Sequence, residues 1–202
     1  MKQRGSALIY ILIAIALLAA LTMAFVEPSG QQSRSQNSYK QATDLKGQAE
    51  AIRAAIQDCV ITYPAGDSGI TDTPYSAPYP ITPSSTYAPV ANRDAAEKAS
   101  SIRCPGNPGG SNDHAVIFGG TTGRFFPAKA ALMDDWTYKN STGGVYIMTR
   151  TNKTDMYLQE AMQKVKATYD ACEADYISDG SAPCTSGYYC LRIWLLRTTA
   201  CP

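Results

Sequence analysis

Residues 4–26 read RGSALIYILIAIALLAALTMAFV, and no charged residue follows Arg4 in this stretch. As an α-helix rising about 1.5 Å per residue, the run would be roughly 30 Å long, which matches the hydrocarbon core of a bilayer. Leucine and isoleucine occur on every side of such a helix, a distribution that favours lipid over the edge of a soluble core. Lys2 and Arg4 precede the run and Glu27 follows it. The positive-inside rule then predicts a cytoplasmic N-terminus, a single membrane pass and export of everything beyond Glu27.

Two kinds of export signal fit this pattern. An ordinary signal peptide would be cut at a small-residue site after Ala24 and would release a secreted, disulfide-bonded binding domain. However, the apolar run is longer than the core of a usual signal peptide and follows Arg4 almost without a basic region. Both features favour retention of the helix in the membrane.

The sequence around Gly5 resembles a known processing site. Arg4-Gly5, a small residue at Ser6 and an unbroken apolar segment are similar to the N-terminus of type IV pilins and type II secretion pseudopilins. The resemblance implies that a prepilin peptidase removes the leader, residues 1–5, and methylates the new N-terminus at Ser6. The helix over 6–27 then stays on the mature protein for membrane storage and the filament core. Pro28 adds to the match, because family members often carry a proline near the end of this segment.

The resemblance also implies a place and partners for the protein. It predicts a subunit of a type IV pilus or type II secretion pseudopilus, held in the bacterial inner membrane with its C-terminal domain outside the cytoplasm. The expected partners are other pilin or pseudopilin subunits, the prepilin peptidase, the inner-membrane assembly platform and the membrane itself. The residues assigned to the membrane and to assembly are Leu8, Ile9, Tyr10, Ile11, Leu12 and Pro28.

Tyr10 departs from the family pattern. Family members usually carry a glutamate as the fifth residue after the cut, where it offsets the buried terminal ammonium of a neighbouring subunit; this chain has Tyr10 there. A tyrosine hydroxyl forms hydrogen bonds but does not neutralise a charge. The first subunit of a filament has no predecessor to neutralise, so the departure predicts a minor subunit at or near the tip.

Composition argues against nucleic acid as a partner. Lysine and arginine number 18, and aspartate and glutamate number 17. The formal net charge is +1, and it becomes −1 when residues 1–5 and their two cations are removed. Neither value gives a general electrostatic attraction to nucleic acid or to anionic lipid.

The six cysteines favour disulfides, because all of them lie on the side of the membrane that is predicted to be oxidising. They are Cys59, Cys104, Cys172, Cys184, Cys190 and Cys201. Their spacing allows many connectivities and does not choose among them. A zinc site is disfavoured, since there is no Cys-x-x-Cys pair and the one histidine is His114. No metal or cofactor is expected.

Hydrophobic spacing predicts an exported amphipathic helix over 28–60. Apolar residues recur every three or four positions at Ala42, Leu45, Ala49, Ile52, Ile56 and Cys59. This narrow stripe suits packing on a sheet. The alternative is a free coiled coil, but the stripe has few repeats for that structure. A break or kink is expected at residues 27–30, because proline lacks the amide donor and clashes with the preceding turn.

Residues 61–202 are predicted to form a globular pilin-like domain with long loops. Proline and tyrosine alternate over 61–92, which indicates a surface loop. A short helix is expected within 92–101, followed by a loop rich in proline and glycine over 104–110.

The remaining pattern is that of an α+β protein. A strand or a buried turn is predicted over 115–118, strands are predicted over 145–149 and 189–197, and an inserted helix is predicted over 154–173. The expected architecture is one long N-terminal helix, apolar in its first half and amphipathic in its second, packed on a small antiparallel β-sheet and held by disulfides.

No constellation in the sequence predicts an enzyme. His114 has no nucleophile or acid in a matching pattern, and an exposed loop histidine is the better interpretation. Asp175, Asp179 and Ser181 could help to bind calcium in a loop, but their spacing matches no known calcium motif. A solvated acidic loop is therefore favoured there.

Overall fold

The computed structural model describes residues 4–63, 98–108, 114–119 and 122–200, with the side chains of 4–7, 24–29, 105–108 and 114–115 left out. A short 3₁₀ turn at Ala99–Ser101 follows the first helix. The helices and strands, in chain order, are α1 Arg4–Thr62, β1 Arg103–Pro108, β2 His114–Val116, β3 Thr137–Ser141, β4 Gly144–Thr151, α2 Met156–Lys166, β5 Ala174–Ile177 and β6 Tyr189–Arg197. The predicted α+β class is confirmed.

Helix α1 changes its surroundings along its length. Side chains 8–23 are exposed on every side, whereas one stripe is buried from Ser38 to Cys59. The buried members are Ser38, Gln41, Leu45, Gln48, Ala49, Ile52, Ala55, Ile56 and Cys59. The predicted apolar stripe is therefore confirmed except at Ala42, which is half-buried, and the structure adds three polar residues to it.

Of the kink or short break expected at residues 27–30, the break is wrong for the backbone, because the helical conformation continues through Pro28. A proline inside a helix removes one hydrogen bond and crowds an earlier carbonyl, at a cost of about 3 kcal/mol. The helix nevertheless continues on both sides of Pro28, so the energetic cost of this single proline does not end it.

Four strands form an antiparallel sheet in the order β3-β4-β6-β5. Ile147 of β4 lies opposite Ile193 of β6, and Met148 lies opposite Arg192. Because side chains alternate along a strand, the two isoleucines face one side and the Met148–Arg192 pair faces the other. Both isoleucines belong to the main core together with the stripe of α1 and with Met162 of α2. The sheet therefore has an inner face covered by the two helices and an outer face.

Strands β4 and β6 confirm two of the predicted strands, but other expectations need correction. The predicted loop at 104–110 instead begins with β1, which pairs with β2 in an irregular antiparallel register. Proline is tolerated in such a ribbon where its missing donor points away from the partner strand. His114 begins β2 and is not in a loop. The strand or buried turn predicted over 115–118 is a strand as far as Val116, and Ile117 and Phe118 are buried beyond its end. β3 and β5 were not predicted.

The inserted helix is shorter than expected. It ends at Lys166, and the chain then forms tight turns in which the amides of Thr168 and Tyr169 donate to carbonyls three residues earlier. Tyr169 and Cys172 therefore lie beyond the helix. The loop predicted over 61–92 and most of the helix predicted within 92–101 fall on residues 64–97, outside the described residues.

Disulfides are confirmed. Cys59 is bonded to Cys104 and Cys184 to Cys190. Cys172 is also disulfide-bonded, and Cys201 lies outside the described residues.

Among the side chains described on α1, residues 8–23 and 30–62 include no helical segment that is both long and apolar enough to cross a membrane. In the apolar run predicted over 6–27, the side chains of residues 6–7 and 24–27 are not among those that the structure describes.

Candidate assembly surface

The apolar side chains at the start of α1 are uncovered by the domain. Every large apolar side chain from Leu8 to Met23 keeps at least half of its surface exposed, from 50% at Ile13 to 74% at Met23. Single exposed apolar residues are ordinary, but a continuous apolar surface of this extent marks contact with a membrane or with protein. We call residues 8–23 the apolar segment.

Five of the six predicted membrane and assembly residues lie in this segment. Leu8, Ile9, Tyr10, Ile11 and Leu12 are all exposed, on successive positions of α1. Gly5 and Ser6 lie in the helical backbone near its start, and the side chain of Pro28 lies outside those described.

Only two residues of the apolar segment have polar side chains, Tyr10 and Thr22. The hydroxyl of Thr22 lies 3.0 Å from the carbonyl oxygen of Leu18 and 2.9 Å from that of Ala19, so it is bonded within its own helix. Tyr10 is 70% exposed. The outer surface of the segment thus carries one free polar group, the Tyr10 hydroxyl, near its N-terminal end.

Two glutamines fix the second half of α1 to the segment that precedes β3. Gln48 Oε1 accepts a hydrogen bond from Trp136 Nε1 at 2.8 Å, and Gln41 Nε2 donates to the carbonyl of Ala131 at 2.8 Å. Gln48 is 8% exposed and Trp136 is 1% exposed, so this bond lies inside the core. The sequence analysis missed both glutamines, although their spacing with Leu45 continues the stripe and could have revealed them.

Polar contacts join one flank of α1 to α2 and the turns after it. Arg34 forms an ion pair with Glu160, Arg53 forms another with Glu173 at 3.2 Å, and the hydroxyl of Tyr169 donates to Glu50. Burial raises the pKa of Tyr169, and the Glu50 carboxylate adds to the rise through the hydrogen bond and its charge. These contacts hold α2 against the helix that carries the apolar segment.

The acidic residues considered for calcium are used within the protein. Asp175 lies in β5, which corrects its placement in a loop, and its Oδ2 accepts from Arg192 at 2.7 Å and from Trp194 at 2.8 Å. The carboxylate of Asp179 accepts a bond from the amide of Gly187. In the described part of the chain, no group of three or more histidine, cysteine, aspartate or glutamate residues is arranged to hold a metal.

Comparison of this chain with protein-family models, with curated proteins and with solved structures found no match.

Proposed function

We propose that this protein is a minor subunit of a type IV pilus or type II secretion pseudopilus, held in the inner membrane by α1 before assembly. The observation that carries the proposal is the division of α1. Every large apolar side chain of its apolar segment is at least half exposed, whereas the stripe from Ser38 to Cys59 is buried in the core. A helix built in this way suits a subunit that is anchored or bundled through one end and displays a folded domain at the other.

The apolar segment has an energetic reason to be covered. Burial of a large apolar side chain is worth about 1.5–3 kcal/mol, and each of these side chains still exposes half of its surface or more. Over the segment this amounts to on the order of 10 kcal/mol. Lipid supplies that cover to a subunit in storage, and the apolar helices of neighbouring subunits supply it in a filament. Both environments accept a helix that is apolar on all sides.

The start of α1 suits proteolytic processing after Gly5. The first four amides of a helix have no carbonyl partner within the helix. Residues 4–6 therefore leave the helix at little cost, as a peptidase requires for access to the backbone. The Arg4-Gly5-Ser6 sequence provides the resemblance to the prepilin site. The small number of helical hydrogen bonds at this end supports cleavage there, because the backbone can leave the helix easily.

The N-terminus of the exported protein tests the proposal. Intact-mass and peptide measurements should find it at Ser6 with an N-methyl group. Gly5→Leu should leave residues 1–5 in place, because a side chain there obstructs the peptidase. Gly30→Leu is the matched control, since Gly30 lies on α1 with nothing within 4 Å of an added Cβ, and it should be processed normally.

Two results would contradict the proposal. Normal trimming of Gly5→Leu would show that the prepilin site is not used. An N-terminus at Phe25 would support the alternative, a secreted disulfide-bonded binding domain released by signal peptidase after Ala24.

A further inference from the structure

Two triplets of the form Asn-x-Ser/Thr lie in the described part of the domain. They are Asn140-Ser141-Thr142 and Asn152-Lys153-Thr154. With any residue except proline in the middle, such a triplet is the acceptor pattern for N-linked glycosylation. The pattern is short and often occurs by chance, so the accessibility of each triplet in the folded chain decides whether it can act as an acceptor.

The second triplet is accessible in the folded protein. Asn152, Lys153 and Thr154 are all exposed and lie outside helix and strand, between the end of β4 and the start of α2. Within the part of the chain that the structure describes, neither the side-chain amide of Asn152 nor the hydroxyl of Thr154 has a hydrogen-bond partner. The preceding Thr151 is 1% exposed, and its hydroxyl donates to the carbonyl of Leu132 at 2.7 Å. The triplet is therefore displayed at an anchored place on the surface, with both of its reacting groups open to an enzyme.

The first triplet is held in the sheet. Asn140 lies in β3 opposite Val145 of β4, and its side-chain nitrogen donates to the hydroxyl of Tyr138 at 3.2 Å. Tyr138 is fully buried. The hydroxyl of Ser141 donates to the carbonyl of Gly144 at 3.1 Å. An enzyme would have to open this end of the hairpin before it could use the Asn140 amide, so the fold leaves one of the two triplets available.

Contacts between the helices place Asn152 at the end of the domain nearest the apolar segment. The Arg34–Glu160 and Arg53–Glu173 ion pairs show that residue numbers rise in the same direction along α1 and along α2 with the turns after it. Asn152 precedes α2 and therefore lies towards the apolar segment. With α1 held in the membrane as proposed, this end of the domain faces the membrane, where lipid-linked sugar donors are held.

We propose that Asn152 is the acceptor of an N-linked glycan, transferred to the folded and exported protein from a lipid-diphosphate-linked oligosaccharide. The side-chain nitrogen of Asn152 forms a bond to the anomeric carbon of the first sugar. The bond between that carbon and the diphosphate oxygen breaks, the lipid diphosphate leaves with the bonding electrons, and the amide loses one proton to the transferase.

The disulfides of the domain support the compartment that this reaction needs. Cys59–Cys104 and Cys184–Cys190 are bonds of the kind that form outside the bacterial cytoplasm. Transfer to Asn152 requires export, which the proposed function shares with its alternative of a secreted domain. The inference therefore rests on the exported half of the proposed function and not on filament assembly.

Mass spectrometry of the full-length protein, purified from its own cells and their medium, tests the inference. The peptide that contains Asn152 should carry one or more sugar units, and the peptide that contains Asn140 should carry none. Asn152→Gln should remove the added mass from the intact protein. Asn140→Gln is the matched control at the other triplet, and it should leave the added mass unchanged.

Two substitutions of Thr154 separate use of the acceptor pattern from a change in the fold. Thr154→Ala should abolish the added mass, because the pattern requires a hydroxyl at this position, and Thr154→Ser should keep it. Since Thr154 is exposed, both variants should unfold at the same urea concentration as the parent protein.

Three results would overturn the inference: an unmodified Asn152, a glycan at Asn140 in the native protein, or an added mass that survives Thr154→Ala. The same spectra show the N-terminus and so keep the two proposals apart. A glycan at Asn152 on a chain that begins at Phe25 would overturn the filament function alone. An unmodified Asn152 on a chain that begins at N-methylated Ser6 would overturn the glycan alone.

Discussion

Gln48→Leu would remove the one side-chain acceptor that the structure gives to the buried Trp136 indole. The Trp136 Nε1–Gln48 Oε1 bond is 2.8 Å long and lies where α1 meets the segment before β3. Leucine has a similar size and a helix propensity close to that of glutamine, so the change removes the acceptor while α1 is kept. The indole N–H then stays buried without a partner, because Trp136 is 1% exposed.

The expected cost follows from that burial. An unsatisfied buried donor costs about 1–3 kcal/mol, and the better burial of leucine over glutamine recovers part of it. We expect a net loss of about 1–2 kcal/mol in the free energy of unfolding, or about 2–8 °C in Tm for a chain of this size. Replacing both partners, as in Gln48→Leu with Trp136→Phe, should cost less than the two single changes added together, because the second change removes the orphaned donor.

Urea unfolding of the full chain in detergent, followed by circular dichroism, measures this loss. Gln57→Leu is the control, because Gln57 is an exposed residue of α1, and its effect should stay within about 0.5 kcal/mol. If Gln48→Leu proves as neutral as this control, or if the double variant shows strict additivity, the hydrogen bond does not stabilise the fold as argued.

Three further predictions concern the turn before β4, pH and the filament. Gly144→Ala should destabilise the fold by about 1–3 kcal/mol, since its φ is +134° and an added Cβ would lie 2.5 Å from a backbone oxygen of β6; Gly143→Ala, with no contact under 3.8 Å, should be near neutral in the same unfolding assay. The pKa of Tyr169 is raised in the folded protein, so the unfolded chain loses this proton at a lower pH. The free energy of unfolding should therefore fall above pH 10, and it should fall less steeply in Tyr169→Phe. Equal slopes for the two proteins in unfolding measured from pH 9 to 11 would refute this. A tagged copy should label filament ends at low copy number, and labels spaced along the whole shaft would rule out a tip subunit.

The sequence predicted the parts of the fold that depend on local periodicity. Leu45 and Ile52 recur at helical spacing, and β4 is rich in β-branched residues and begins at the glycine pair Gly143-Gly144, so both were recognisable. Gln41 and Gln48 were missed because glutamine is usually exposed, and their partners at 131 and 136 are distant in sequence. Their spacing with Leu45 places them on the buried face of α1, but the hydrogen-bond partners that make this burial favourable are tertiary contacts that no local pattern records.

The missed strands have a similar explanation. β3 is largely polar and β5 has four residues, so neither shows a pattern of its own. Each forms because a neighbouring strand, β4 or β6, offers a ladder of hydrogen bonds.

The Cys59–Cys104 bond determines how the molecule carries a pulling force. It ties α1, close to its end at Thr62, to β1 of the domain. Tension applied at the apolar segment while the domain is held would act along the helix axis and shear the contacts from Ser38 towards Cys59. Hydrogen bonds and ion pairs break at a much lower force than a covalent bond does. While the bond is oxidised, α1 cannot be drawn out of its domain beyond Cys59, so the apolar segment and the domain remain one mechanical unit.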